Sequence, residues 1–496
     1  MRSTTSILTS SLTSAFLAGN VLLASPLSAA DEEAVSRPPN VLFYLVDTCR
    51  ADRMGLFGHQ RETTPFLSKL AERGVAFERC YSQAPWTKPS MASILTSRPP
   101  SEHGMVRLFA RLPDSFETAP ERIREAGWFT AGFSANPIMG RMSNYTQGFQ
   151  WFVESIQVNG GDPIDLASGS AAKLNEHVFS WLDEREPDDA PIFLYVHSVD
   201  PHEEYEPTEP YLSTFADVTR METYREDWKK LLATRPPLPG NCVTQSNFDR
   251  AEVDATSFIA HGRDLYDADI LANDREIERL YSRLQEAWGD DFIFVITADH
   301  GEEFFEHGAT SHGYSLYGEM IHVPLMIVAP GRLPTGLRVR SPVRSMDVFP
   351  TVLDLMGIDP PTGIAGRSLA PLAHAPRTWK DEPVFSEKIG DESLRAMKLA
   401  HGIAISTYRG RWKFVLNTRS SDLFELPRHE LYDLSTDSLE QANVAAEHPD
   451  LVKEFEDSAL RWSATHVARG AASEDIDPDD LPAEMIDQLR ALGYLK

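Results

Sequence analysis

The sequence predicts an α/β protein: a mostly parallel central sheet sandwiched by helices, then a smaller C-terminal antiparallel sheet-plus-helix subdomain. Three observations predict it. Apolar runs that end in a carboxylate or an imidazole recur along the chain, as strands buried on both faces of a parallel sheet do. Helical periodicity fills the intervals between them. After about residue 376 the pattern changes to short strands around a tight turn.

The elements follow in order. Residues 1–30 read as an export signal: Arg2 is the only charge before Asp31, Ala15 to Leu27 is mostly apolar, and Ser28-Ala29-Ala30 offers small residues for cleavage. The apolar stretch contains Asn20 and falls short of the about 20 residues a spanning helix needs. The expectation is an exported chain, periplasmic or secreted, with no stable membrane insertion after cleavage. Residues 31–39 are a polar linker. Asn40-Val41-Leu42-Phe43-Tyr44-Leu45-Val46-Asp47 is the first buried strand. Thr64-Pro65 through Arg73-Gly74 reads as a helix, with a capping Thr, Pro in the first turn and a Gly stop. Pro191 to His197 is a second strand. Tyr266, Ile270, Ile277, Leu280 and Leu284 keep helical spacing and lead into a third strand, Asp291 to Ala298, which runs on into Asp299-His300. Val323 to Ala329 is a fourth apolar run.

Residues 31–375 therefore form the main domain and 376–496 the C-terminal subdomain. In the latter, Ile403 to Tyr408 and Trp412 to Leu416 flank Arg409-Gly410-Arg411 as a hairpin. Leu431-Tyr432-Asp433-Leu434 follows, then an amphipathic stretch from Pro449 to Trp462. Residues 471–484 are acidic and read as loop.

Composition narrows the function classes. The 496 residues carry 47 Lys and Arg against 74 Asp and Glu, a net charge of −27. Nucleic-acid binding needs Lys and Arg for phosphate contacts, and attraction to anionic lipid needs a basic patch, so neither partner is expected. Cys49, Cys80 and Cys242 make no disulfide framework, and none lies in a zinc-site spacing.

Asp47, His197 and Asp299-His300 end buried strands, and ligands of open α/β sheets collect at such ends. Asp299 and His300 are adjacent, with Gly301 to bend the chain, and His307 and His312 follow within a dozen residues. Histidine is the commonest metal ligand and the natural acid–base group near neutral pH. A third piece is Thr87-Lys88-Pro89-Ser90-Met91-Ala92-Ser93. Its Pro and small residues suit a loop entering a tightly packed helix. That places Thr87 near the helix N-terminus, where backbone N–H groups favour an anion.

Together these pieces resemble the sulfatases, within the alkaline-phosphatase-like superfamily. Asn40 to Asp47 is similar to the family's opening strand and Thr64 to Phe77 to its next helix and turn. Thr87 to Ser93 falls on the active-site signature, and Thr297-Ala298-Asp299-His300-Gly301-Glu302-Glu303 with His322-Val323-Pro324-Leu325 on the late metal motif and following strand. Leu431-Tyr432-Asp433-Leu434 and Leu492-Gly493-Tyr494 are similar to tail elements of such proteins. The resemblance covers roughly residues 38–496 and makes 31–375 the catalytic domain.

This chain also departs from the pattern. Sulfatases carry Cys or Ser, converted to formylglycine, followed by Pro at +2 and Arg at +4; here the three places hold Thr87, Pro89 and Met91. Thr cannot be converted in that way. The opening strand usually ends in two acidic ligands; here it ends in Asp47-Thr48, and Ser134-Ala135-Asn136-Pro137 stands where arylsulfatases carry Gly-Lys-Trp-His. Superfamily branches with a Thr nucleophile handle phosphodiesters, and one of them holds a single metal through an early acid, Thr, Asp and His. That pattern matches Asp47, Thr87, Asp299 and His300.

The resemblance implies further roles. His197 and His202 lie where sulfatases place a substrate-contacting His, and His202 fits the position better. His312 falls near a leaving-group Lys or His and could protonate the departing oxygen, so the expected catalytic groups beside Thr87 are His312 and His202, either of which would assist the leaving group. Lys88 and Asn136 are candidates for contact with the substrate anion. The expected activity is metal-dependent cleavage of phosphate, phosphonate or sulfate esters through attack by Thr87. One divalent ion is expected; three oxygens and one imidazole suit calcium, manganese or zinc. Small-molecule, glycan or lipid esters are the expected substrates. The alternatives are a true sulfatase working without formylglycine, and a catalytically silent protein binding anions or glycans on the same fold.

Overall fold

The computed structural model describes residues 38–155, 170–185, 190–234, 242–390, 403–418, 426–467, 469–470, 473–492 and 494–495. The expected export signal lies outside these residues. The strands of the main sheet are β1 (Asn40–Val46), β2 (Val75–Phe77), β3 (Phe129–Ser134), β4 (Trp151–Val153), β5 (Ile192–Ser198), β6 (Phe292–Ala298), β7 (Leu325–Val328) and β8 (Leu337–Val339). Among the described residues their order is β8-β2-β7-β6-β1-β5-β3-β4. All neighbours are parallel except β7, which runs antiparallel to both β2 and β6.

β1 lies at the centre, with β5 on one side and β6 on the other. Val41 to Val46 are all buried, as are all seven residues of β6. This is why these strands read as unbroken apolar runs: neither face meets water. Each fully buried large apolar side chain contributes about 1.5–3 kcal/mol. Because the three strands are parallel and in register, their C-terminal ends meet. Val46 pairs with Ser198 and with Ala298, so Asp47 and Asp299 leave the sheet side by side.

The helices support these ends. α1 (Pro65–Leu70) begins as expected, but Thr64 does not cap it. Its first N–H groups go instead to the Asp274 carboxylate, at 2.9 and 3.0 Å from Phe66 N and Leu67 N, and the Thr64 hydroxyl accepts from Leu56 N. α2 (Thr87–Thr96) is buried along its whole length. α3 (Ala255–Trp288) is the long helix anticipated before β6, capped by the Asp254 side chain on Thr256 N.

The C-terminal sheet pairs β9 (Val384–Lys388), β10 (Ala404–Arg409), β11 (Trp412–Asn417) and β12 (His429–Asp433), all antiparallel. Gly410, with φ +63°, turns the β10–β11 hairpin. α4 (Pro449–Val467) lays Val452, Phe455 and Ala459 on Phe414, Leu416 and Leu431. From Pro38 onward the chain forms one compact unit.

The acidic tail differs from the loop read for residues 471–484. Glu474–Asp475 forms a short strand antiparallel to Ala110–Arg111, and α5 (Ala483–Ala491) follows. Its apolar spacing is carried by Met485, Leu489 and Leu492, which join the main core. Charged neighbours mask that pattern in the sequence. No helix of the described residues is long and apolar enough to cross a membrane.

Candidate active site

Asp47, Asp299 and His300 meet at the ends of β1 and β6. One oxygen of each carboxylate and a ring nitrogen of His300 all lie within 4.8 Å of one another. Each of the three groups is fastened through one atom and offers another. Asp47 Oδ2 accepts from Asn136 Nδ2 at 2.5 Å and lies 3.2 Å from His197 Nε2, while Oδ1 is buried without a partner. Asp299 Oδ1 accepts from the N–H groups of Thr48 and His300, at 3.2 and 2.9 Å, while Oδ2 is buried without a partner. His300 Nδ1 donates to Gly301 O at 2.9 Å, so the lone pair sits on Nε2.

Thr87 completes the group. It is the first residue of α2, after the extended Trp86, and its Oγ1 lies 3.2 Å from His300 Nε2. Ser90, one turn on, donates to Asp299 O at 2.6 Å and ties the helix to the β6 end. The chain turns sharply at both carboxylates. Thr48 has φ +50°, a strained value for a β-branched residue. Tyr266 from α3 holds it there, donating to Thr48 O at 2.6 Å and accepting from Arg50 N. Gly301 has no alternative, since a Cβ there would sit 2.1 Å from Glu319 O.

The electrostatics call for a cation. Burial raises the cost of ionising Asp299, and Asp47 beside it pushes the acid further up from the usual carboxylate range. Asp47 is buried too, but the hydrogen bond from His197 and the nearby His202 hold it well below that range. Burial also pushes His300 down to about 4, the neutral form that ligates metals. Two buried carboxylates with unpartnered oxygens, an unprotonated imidazole nitrogen and the hydroxyl beside it fit one divalent ion, and Asn136 and His197 orient the Asp47 ligand from behind.

Beside this cluster stand two more histidines. The His312 ring lies 4.4 Å from the His300 ring and 5.0 Å from that of His202. His312 Nδ1 is 3.2 Å from Glu302 Oε1. Burial pushes Glu302 up to about 8 and His312 down to about 4. His202 Nδ1 donates to Glu203 O, leaving its buried Nε2 without a partner.

The structure thus brings Asp47, Thr87, Asp299, His300, Asn136, His197, His202 and His312 to one place. Lys88 is not among them. Its ammonium donates to the carbonyls of Leu108 and Ala110, so the expected anion contact is replaced by a structural role. The expected substrate contact by His197 is corrected as well: the side chain is fully buried and its two nitrogens face Asp47 and the Tyr195 hydroxyl. Asn136 likewise faces Asp47 and receives Ile138 N on its Oδ1.

Three neighbours of the site are named in the sequence argument without a role. Glu302 stands two residues after His300, inside the motif, but nothing local marks it as the partner of His312. Tyr266 looks like an ordinary core position of a helix. Tyr494, its hydroxyl 2.9 Å from Thr87 Oγ1, arrives from 407 residues away.

The fold and this arrangement define an α/β ester hydrolase, and comparison with known proteins places it. The Sulfatase family model matches residues 39–358, and the model for the N-sulphoglucosamine sulphohydrolase C-terminal region matches 306–461. The chain belongs to the sulfatase family. An N-acetylglucosamine-6-O-sulfatase of Bacteroides thetaiotaomicron is 23% identical over 92% of this chain and 90% of its own length. A choline-sulfatase of Rhizobium meliloti is 26% identical over 82% of each. The structure of a phosphonate monoester hydrolase of Agrobacterium radiobacter superposes with a TM-score of 0.69 at 23% identity, covering 89% of this chain and all of that one.

Proposed function

We propose that this chain is an exported, metal-dependent hydrolase that cleaves phosphate or phosphonate esters through Thr87. The observation that carries the reading is the position of Thr87 Oγ1, at the first turn of a buried helix and 3.2 Å from His300 Nε2. Asp47, Thr87, Asp299 and His300 would hold one divalent ion. When bound, such an ion draws charge from a substrate oxygen and lowers the pKa of an oxygen ligand. Thr87 gives its proton to the unpartnered His202 Nε2 as Oγ1 attacks phosphorus in line with the departing oxygen, and a Thr87 ester forms as that bond breaks. The leaving oxygen takes a proton from His312 Nε2, and Glu302 restores one at Nδ1. Water then attacks the ester, giving its proton to His312 Nε2 as Nδ1 returns one to Glu302, and His202 Nε2 hands its proton back to the departing Thr87 oxygen.

Thr87 favours phosphorus on chemical grounds. Formylglycine hydrate expels sulfate by collapsing to the aldehyde, whereas a Thr sulfate ester must be hydrolysed at sulfur. Phosphoryl esters of hydroxyl side chains are made and broken by metal-assisted displacement. Sulfate esters are the second reading, favoured by the family match and by the sulfatase names of the relatives. Glycan or small-molecule esters are the substrates it would take. Hydrolysis of nitrophenyl sulfate, phosphate, phosphodiester and phosphonate by the metal-loaded protein separates these readings. Fastest turnover of a phosphorus ester is expected, and turnover of the sulfate alone overturns the preference. Metal binding with no turnover on any of them points to the silent binder.

His312 gives a sharper test. A general acid is worth about 10²- to 10⁴-fold where the leaving oxygen needs a proton. His312→Ala should therefore slow alkyl esters far more than nitrophenyl esters, whose leaving group departs unprotonated. Equal losses on both, measured as kcat/KM, would assign His312 to positioning instead.

A further inference from the structure

The Thr87 hydroxyl has two hydrogen-bonding neighbours: His300 Nε2 at 3.2 Å and the Tyr494 hydroxyl at 2.9 Å. Their directions follow from the rest of the network. His300 Nδ1 spends its proton on Gly301 O, so Nε2 accepts, and the Thr87 proton points to it. The contact between Thr87 and Tyr494 must then run the other way, with the phenol donating and Thr87 Oγ1 accepting. The Asn136 amide is a further hydrogen-bonding neighbour of the phenol. Its orientation is set because Ile138 N donates to its Oδ1, which leaves Nδ2 as the donating end.

We propose that Tyr494 is a catalytic residue whose hydroxyl donates to Thr87 Oγ1, stabilising negative charge on that oxygen as it binds the metal and attacks. The inference rests on the Thr87 reading above. The placement of Tyr494 is built, not incidental. Leu489 and Leu492 of the α5 segment are buried in the main core. Gln488 exchanges hydrogen bonds with Ser155 at 2.9 and 3.1 Å. Tyr494 N then donates to Leu489 O at 2.8 Å, folding the chain back so that the ring enters the site. The ring itself is 7% exposed and lies 6.1 Å from that of His202.

The test is a double-mutant cycle read first by manganese binding, using calorimetry on the full chain. A hydrogen bond to a charged oxygen is worth about 10- to 100-fold. Tyr494→Phe should weaken Mn²⁺ binding within that range while leaving its stoichiometry at one. In the Thr87→Ala background the same change should do nothing, because the oxygen it serves is gone. Kinetically, Tyr494→Phe should lower kcat by a similar factor with KM changed less than about 2-fold. An equal loss of Mn²⁺ affinity in both backgrounds, no loss in either, or a faster Tyr494→Phe enzyme overturns the proposal. A wild-type chain that binds Mn²⁺ but hydrolyses nothing sinks the hydrolase reading, while the calorimetric cycle still decides the hydrogen bond.

Discussion

Asp299→Ala is expected to lose bound metal and hydrolysis together while the chain stays folded. Asp299 offers the bare Oδ2, and its other oxygen collects the N–H groups of Thr48 and His300 at the strand ends. Removing it takes away one of two carboxylates and loosens the turn that presents the other ligands. The fold should survive because the sheet beneath is buried on both faces. Burial and the neighbouring Asp47 also hold the Asp299 pKa above its unfolded value. The folded state therefore binds more protons, so stability of the metal-free wild type falls as pH rises from the ordinary carboxylate range toward the raised pKa. Asp299→Ala should show a shallower slope, because Glu302 and the other buried carboxyls raised by burial keep theirs. Added Mn²⁺ should raise the Tm of the wild type, since it binds the folded state, and leave the variant unmoved. Stoichiometric metal in the variant by elemental analysis would remove Asp299 from the ligand set.

The legible part of this molecule is the part that repeats a local rule. β1, β5 and β6 are buried on both faces, so their sequences are apolar throughout and their polar ends stand out. Those ends, Asp47, His197 and Asp299-His300, are the frame of the site. Thr87 was legible because small residues and Pro89 announce a tightly packed helix start. The less legible part depends on contacts distant in sequence. Lys88 follows Thr87 by one residue, yet a helix turns successive side chains about 100° apart, and its ammonium ends on the carbonyls of Leu108 and Ala110. Thr64 has the residue type of a cap, but Asp274 from α3 takes the α1 N–H groups. Tyr494 sits beyond an acidic segment whose charges hide the α5 pattern, and no local spacing links it to Thr87. His197 ends a strand as Asp47 does, but its ring faces Asp47 and Tyr195, a pairing that strand position alone does not announce.

Thr87→Ala is the substitution expected to remove the most activity. If Thr87 Oγ1 is the nucleophile, its removal leaves His300 and Asp299 directed at the metal position and Ser90 still donating to Asp299 O. Turnover should fall by about 10³-fold or more, as when a nucleophile is removed from a unit that acts together. Thr87→Ser should recover a substantial part, because the attacking oxygen remains and only the methyl that restricts its rotamer is lost. That ordering, wild type above Ser above Ala, separates a nucleophile from a helix cap. A cap would be replaced by Ser with no loss, and its removal would act through stability, costing about 1 kcal/mol. An acid quench during turnover should trap a phosphoryl group on the peptide containing residue 87, detectable by mass spectrometry, with the label absent from Thr87→Ala. Wild-type rates in Thr87→Ala would hand the attack to water and leave Thr87 as a structural residue at the start of α2.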